Sequence, residues 1–517
     1  MDFSAVPDET PVLVGVGQCV DRVGAPAYQG WSAVEMAVEA SRAAMADSGA
    51  ADRIGAEIDW IATTRTFDDS ARHLKLPFGR SNNFPRSICR RLGIRPATAT
   101  WEDAGGNTPQ SLLAEACERV ASGEFRAALL TGAEAIATAR HLVKTGGQAD
   151  WSEELDEAVE DRQGQQIQGI LSIHSYRHGL LAAPPLYGLC ENARRGRAGA
   201  DRAAWRAEMA TWFAPFSACA AANPYAFAEN PAYTPAEIAQ VTAENRLIAD
   251  PYPRLVVAQD RVNQGAAVLV TRVDVARRLG VAAEQCVFLH GYAAAKEKVV
   301  EHRADPSAYP AAVAATRLAL ERAGIGLDDL AAFDFYSCFP IAVSSVAEGL
   351  GLAADDPRGL TATGGLPYFG GPGNNYSMHA IASVVGRLRA DPGSAGFVGA
   401  NGGFLSKYAV GILSTRPAPF RAWDSAALQA EIDAVESPPF TETPSGRATI
   451  ETYTLMYGRD GSPEQAVILG RLADDVRFLA TAKEDESATL AQMAKEEPLG
   501  AAVVVETGED GNRFRLA

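Results

Sequence analysis

The stretch Asn263-Gln-Gly-Ala-Ala-Val-Leu-Val270 runs into a β-rich segment, Gly265 to Arg272, with which a pattern restarts after a long interruption. Upstream, from Pro11, β-branched runs alternate with amphipathic stretches: Val12 to Val16, Ser32 to Ser48, Ile58 to Thr63, Thr98 to Trp101, Pro109 to Ser122, and Arg126 to Thr131. Downstream the rhythm returns over Val287 to Gly291, Tyr309 to Ala323, Ala332 to Cys338, Ile341 to Leu350, Tyr376 to Ala390, Ala395 to Gly399 and Ala409 to Ser414. Strands alternating with helices of this length imply β-α units with largely parallel pairing, so the predicted class is α/β, built from two similar halves.

Between the halves strand signals fade, and Gly, Pro, His, Trp and Arg accumulate, as in His174-Ser-Tyr-Arg-His178 and Arg194-Arg-Gly-Arg197. An insertion this long in a compact protein is usually functional, and it is the natural place for a subdomain covering a substrate. After Thr415-Arg-Pro-Ala-Pro419 the rhythm stops, and Ser437-Pro-Pro439 and Thr443-Pro-Ser-Gly446 punctuate a linker. Short β-rich runs then follow, Ala448 to Leu455, Gln465 to Leu472, Val476 to Ala480, Ala501 to Glu506 and Arg513 to Leu516, which predict a small barrel or sandwich. The expected units are 1–136, a first half; 137–250, a loop subdomain; 251–417, a second half; and 418–517, linker and β-domain.

The 517 residues exceed one hydrophobic core, and 47% apolar with 21% charged residues is the composition of a globular protein. A formal charge of -17 repels phosphate polymers and anionic lipid, so nucleic acid is not an expected partner. Seven scattered cysteines, none in a Cys-x-x-Cys pair, argue against a disulfide framework and structural zinc and fit a reducing cytoplasm. The start, Met-Asp-Phe-Ser-Ala-Val-Pro-Asp-Glu, has no basic or apolar leader pattern, and no stretch reaches the length of a membrane span, so the expected location is cytoplasmic.

Five blocks, in order and spacing, resemble the thiolase superfamily over about residues 10 to 415. Leu129-Leu-Thr-Gly-Ala-Glu134 is similar to its glycine-alanine-glutamate strand end, and Asn263 to Val270 to the block that opens the second half. Phe333-Asp-Phe-Tyr-Ser-Cys-Phe339 resembles the strand ending in Asn-Glu-Ala-Phe, or His-Asp-Cys-Phe in the sterol-carrier-type branch. Gly364-Gly-Leu-Pro-Tyr-Phe-Gly-Gly-Pro372 resembles the Gly-His-Pro loop, and Gly399-Ala-Asn-Gly-Gly403 the Cys-x-Gly block. The resemblance implies a thiolase fold, two βαβαβ halves layered αβαβα, with an additional C-terminal domain of OB type. It further implies the acetyl-CoA acetyltransferase and acyltransferase family, lipid metabolism, and a homodimer in which the strand around Thr98 to Trp101 pairs across a two-fold axis.

Members use two cysteines and a histidine, and the places of all three carry other residues here. Counting back from Gly123, the acyl-accepting cysteine falls in Gly105-Gly-Asn-Thr-Pro109 and is assigned to Asn107; the histidine falls on Gly371 and the second cysteine on Ala400. Cys117 stands mid-helix about two and a half turns beyond the site and cannot substitute. Cys338 stands on the right strand, yet no flanking Lys, Arg or His lowers its pKa, so it reads as a packing residue. Backbone chemistry survives: Pro109 reads as the first helical residue with Thr108 as its cap, and by resemblance the N–H groups of Asn107 and Gly402 would form an oxyanion hole. Gly402 and Gly403 have a plainer reading as residues of a tight turn.

The replacements bring candidates of their own. Tyr336 takes the Asn or His place of the third block, and Gly373-Asn-Asn-Tyr-Ser-Met-His379 supplies Tyr376 and His379. This resembles thiolase-fold aldolases that lack the nucleophilic cysteine, use tyrosines from these loops and require an OB-fold partner. The resemblance implies Tyr376 as a base assisted by His379 at i+3; the alternative is that both pack along a helix start. Arg194 and Arg195 could pair with the phosphates of CoA, or simply solvate a loop. Three functions stand open: a thiolase-like protein handling acyl-CoA thioesters without ordinary thiolysis, an aldolase-like lyase acting on a β-hydroxyacyl-CoA, and a non-catalytic acyl-CoA-binding protein. No metal site and no covalently bound cofactor is expected; the CoA thioester would be substrate. With three catalytic groups replaced, the purified protein is predicted to cleave acetoacetyl-CoA several orders of magnitude slower than a working thiolase in a thiolysis assay.

Overall fold

The computed structural model describes residues 5–70, 75–163 and 170–517. The first half supplies β1 (Pro11–Val20), β2 (Ile58–Thr63), β3 (Thr98–Trp101), β4 (Ala127–Ala135) and β5 (Glu160–Asp161). After the interruption come a short hairpin, β6 (Leu247–Ala249) and β7 (Tyr252–Pro253), then β8 (Asn263–Arg272), β9 (Phe288–Lys296), β10 (Leu330–Asp334), β11 (Ala395–Gly402) and β12 (Lys407–Ser414). The C-terminal part adds β13 (Gly446–Tyr457), β14 (Pro463–Leu472), β15 (Arg477–Ala482), β16 (Ala502–Gly508) and β17 (Gly511–Leu516).

Two sheets form the body, ordered β1-β8-β4-β2-β3-β5 and β10-β11-β12-β9. The helix Ala33–Asp47 covers the outer face of the first and Pro310–Ala323 that of the second, while Thr108–Ala121 and Tyr376–Ala390 fill the space between them. This is the α/β thiolase fold with its αβαβα layers. The pairing is more mixed than a β-α alternation predicts: β2 runs parallel to β3 and β4, but β8 is antiparallel to both β1 and β4. Asn263 to Val270 therefore completes the first sheet rather than opening the second half. Alternation of strand and helix reports which residues are extended, whereas sheet membership is fixed by which strand edges are vacant.

The expectation of a dimer needed a free edge on β3. That edge is taken within the chain: β5 pairs parallel with β3 at Thr100 and Trp101, and Arg162 N–H donates to Trp101 O at 2.9 Å. Arg162 also reaches Glu115, Glu102 and Glu160, and Arg65 bonds Asp161 at 2.6 Å, so the short strand is clamped from both sides.

The C-terminal strands close a barrel in the order β13-β14-β15-β17-β16-β13, with β15 parallel to β17 and the helix Ser487–Lys495 between β15 and β16. That is OB topology. Alternation along β14 and β15 sorts the side chains: Ala466, Ile468, Phe478 and Ala480 fill the barrel, while Val467, Leu469 and Leu479 join the core of the body. The barrel is thus buried on two faces, one of them against the loop subdomain, whose hairpin β6–β7 extends its sheet at Met456.

Two buried histidines lie at that contact. His178 accepts the Asn512 N–H on Nε2 at 2.8 Å, and its Nδ1 donates to His174 O at 2.7 Å, so both ring nitrogens are committed to the neutral form. Burial pushes its pKa down to about 4, while the unfolded chain titrates near ~6.5. The unfolded state therefore binds the extra proton first, and stability present above about pH 6.5 is lost as pH falls toward 4, by at most about 3 kcal/mol for this residue. Chemical denaturation from pH 7.5 to 4.5 should show the midpoint falling with acidity, and His178→Gln should flatten that slope; a pH-independent midpoint in the native chain excludes the assignment.

Candidate functional site

The two central helices start against one another. Asn374 Oδ1 accepts the Gly105 N–H at 2.9 Å, and Ser377 Oγ donates to Gly106 O at 2.6 Å, so the turn before Thr108–Ala121 is tied to the turn before Tyr376–Ala390. The helix begins one residue earlier than expected, with Asn107 rather than Thr108 at the cap and Pro109 inside the first turn. Asn107 Oδ1 makes no capping bond and is buried without a partner.

Above this junction lies a cavity of about 390 Å³. Gly105, Gly106, Tyr336, Cys338, Gly402 and Gly403 are among its lining, and among the described residues no histidine lines it. The glycines are required by close approach: a β-carbon on Gly402 would stand 2.2 Å from Asn107 Oδ1, and one on Gly106 would stand 2.4 Å from Tyr336 Oη. Tyr336 thus presses its hydroxyl against the Gly106 backbone. Burial, with Cys338 adding to it, pushes the Tyr336 phenol up, which makes it a hydrogen-bond donor and a poor base.

Cys338 is a thiol at neutral pH. Burial pushes it up to about 12, against the lowering effect of hydrogen bonds with Tyr187 and Asn401. Asn401 organises this wall: its Nδ2 donates to Tyr187 Oη at 2.8 Å and to Cys338 Sγ at 3.7 Å, and its Oδ1 accepts from Tyr309 at 3.4 Å. Tyr187 stacks on Phe339 at 4.4 Å between centroids. Beside the cavity-lining Phe67 and Gly373, Glu134 at the end of β4 accepts the Phe67 N–H at 2.8 Å, and burial raises its carboxyl well above the ordinary range.

Of the residues singled out in the sequence, Tyr336, Gly402 and Gly403 line the cavity, and Asn107 abuts it through Gly402. Tyr376 does not line it. Its ring meets Tyr336 edge-on at 5.2 Å, but its hydroxyl points into the core, bonding Thr363 Oγ1 at 2.6 Å and the buried Asp334 carboxylate at 3.1 Å. There it fixes the end of β10 to the loop 361–363, whose Ala362 and Thr363 N–H groups cap the same carboxylate. His379 also lies away from the cavity, fully buried, with Nδ1 donating to Gln18 Oε1 at 2.8 Å. Burial lowers its pKa to about 3, and the i+3 partnership with Tyr376 fails because the two buried side chains serve different neighbours.

Arg194 and Arg195 are corrected more sharply. Both are buried on the helix Ala183–Arg197. Arg194 pairs with Glu348 on the helix Pro340–Gly349, and Arg195 forks onto Glu497 at 2.7 and 2.8 Å, joining the subdomain to the barrel. The sequence reading missed Asn401, Asn374 and Tyr187. The first two sit inside the quoted blocks Gly399 to Gly403 and Gly373 to His379, so their signal was present; nothing in the subdomain sequence marked Tyr187.

Among the described residues no cluster of His, Cys, Asp or Glu is arranged to hold a metal, and no helix is long and apolar enough to cross a membrane. The family model "Thiolase-like protein type 1 additional C-terminal domain" matches residues 427–511. No curated protein matches the chain. Among solved structures, a monomeric SCP2-thiolase-like protein type 1 from Mycobacterium smegmatis is 45% identical, with 99% of this chain and 100% of that one covered and a TM-score of 0.84. An Ltp2-ChsH2(DUF35) aldolase is 19% identical over 78% of this chain and 98% of that one, TM-score 0.57. The dimeric peroxisomal thiolase of Saccharomyces cerevisiae is 14% identical over 80% and 99%, TM-score 0.59. At such identities the last two speak to fold alone, whereas the near-complete match at 45% identity decides membership: the chain belongs to the SCP2-thiolase-like proteins of type 1, a thiolase-fold family with an additional C-terminal domain.

Proposed function

We propose that the protein binds acyl-CoA thioesters in the cavity above the two helix starts and does not carry out thiolysis. The observation that carries this is the meeting of two backbones at one point: the Asn107 amide nitrogen stands 3.3 Å from where a β-carbon on Gly402 would be. A helix start brought against a glycine turn suits a thioester carbonyl oxygen, and the Tyr336 hydroxyl, held beside Gly106, adds a donor at the same end of the cavity. The mainly apolar lining, with Tyr187, Phe339 and Phe404, suits an acyl chain. The relative from Mycobacterium smegmatis is described as monomeric, and with β5 seated on the edge of β3 this chain is proposed to work as a single copy.

A second reading, carbon–carbon cleavage of a β-hydroxyacyl-CoA, is favoured by one observation, Tyr336 lining the cavity of a protein with a fused OB barrel, and by fold likeness to an aldolase. Its difficulty is the base: Tyr376 is turned away and the Tyr336 phenol is raised by burial.

Calorimetric titration with 3-hydroxybutyryl-CoA and acetoacetyl-CoA tests the proposal. Saturable binding is expected, weakened about fivefold to tenfold in Tyr336→Phe by loss of one hydrogen bond. Tyr376→Phe should instead lower stability by about 1–3 kcal/mol, since Asp334 loses a buried donor, and leave affinity near that of the native chain. Failure of both thioesters to bind overturns the proposal. Cleavage products from 3-hydroxybutyryl-CoA that vanish in Tyr336→Phe establish the lyase reading in its place.

A further inference from the structure

The barrel and the cavity are connected by a run of buried donors and carbonyls. Arg477 opens β15 and is wholly buried, at 0% exposure. Its Nε and Nη2 fork onto Glu451 of β13 at 2.9 and 2.6 Å, and its Nη1 leaves the barrel to bond the carbonyls of Glu301 and Arg303 at 3.0 and 2.6 Å. Those carbonyls belong to the turn Val300–His302 and the residue after it. From the same turn the Arg303 side chain runs the other way: Nε donates to Lys298 O at 2.8 Å, and Nη2 to Leu405 O at 2.9 Å and Phe404 O at 3.4 Å.

What Arg303 holds is strained. Gly403, Phe404 and Leu405 all lie in the left-handed region, at φ +57°, +55° and +62°. For the two non-glycine residues this costs about 1–3 kcal/mol each and persists only where surroundings impose it. The strained turn is the cavity wall: Gly403 and Phe404 line it, and the Phe404 ring meets Tyr187 edge-on at 6.4 Å. Glu297 N–H donating to Ser406 O at 2.8 Å closes the turn from its other end.

We infer that Arg477 and Arg303 are positioning residues through which the C-terminal barrel holds the wall of the cavity in shape, so that affinity at the cavity depends on a domain that does not touch it. The affinity part rests on the binding proposed above; the wall part does not. Neither arginine meets the ligand. Each acts through the carbonyls of the next segment, and the two-residue strain at Phe404 and Leu405 supplies an alternative, relaxed arrangement for the wall to fall into once the clamp is released.

The test uses the full chain with Arg477→Gln, Arg303→Gln and the double variant. Hydrogen exchange over residues 402–407 is measured without ligand, and binding of 3-hydroxybutyryl-CoA separately. Each single variant is expected to speed exchange in 402–407 with the sheets unchanged, and to weaken binding about tenfold. The double variant should be no worse than the worse single one, since both break one relay. Unchanged exchange in 402–407 for a folded Arg477→Gln protein, a uniform rise across the whole chain, or additive effects would each overturn the inference. If Arg477→Gln does not fold, Arg477→Lys carries the comparison, because it keeps a charge for Glu451 but lacks the planar fork that spans carboxylate and carbonyls together. Should the native chain bind no CoA thioester, the proposed function falls while the relay stands or falls on exchange alone.

Discussion

The structure depends on two helix N-termini being forced to face one another. The helices Thr108–Ala121 and Tyr376–Ala390 are enclosed between the two sheets, so their first N–H groups cannot turn to water and must be met locally. Thr108 N–H turns back to Gly105 O, Asn374 and Ser377 tie the Gly105–Gly106 turn to the second helix start, and the cavity opens above this junction. The carboxyl groups nearby are both buried, and burial raises the pKa of each. Asp334 is surrounded by donors from Thr361, Ala362, Thr363 and Tyr376, and Glu134 accepts the Phe67 N–H.

Much of this was legible in the sequence because glycine leaves little choice. Gly105–Gly106 and Gly402–Gly403 marked the two turns that must approach, and Tyr336 followed from its place just beyond the end of β10. The readings that failed did so for a common reason. Tyr376, His379, Arg194 and Arg195 are polar residues that a sequence suggests should seek solvent or ligand, and each lies instead on the packed face of its helix. Arg195 is a clear instance: three arginines in four positions look like a surface patch, but the helix carrying them is held between body and barrel, and only Arg197 is substantially exposed. A chain segment does not state how many faces its neighbours will cover.

The barrel shows the same principle at the scale of a domain. OB folds bind oligonucleotides and sugars on the face of their second and third strands. Here those strands, β14 and β15, spend that face on Val467, Leu469 and Leu479, which complete the core of the body. Arg477 ties the added domain to the turn after β9 and Arg195 ties it to the loop subdomain, so the barrel is bonded to both parts of the body.

The short strand β5 has a thermodynamic consequence. An edge filled by a second molecule is filled only as far as the concentration of that molecule allows, and its contribution to stability fades on dilution. An edge filled by a tethered segment experiences an effective local concentration set by the length of the intervening chain and independent of how much protein is present. By carrying its own strand, the first sheet exchanges mass action for chain connectivity, and its integrity becomes a property of the single polypeptide at any abundance.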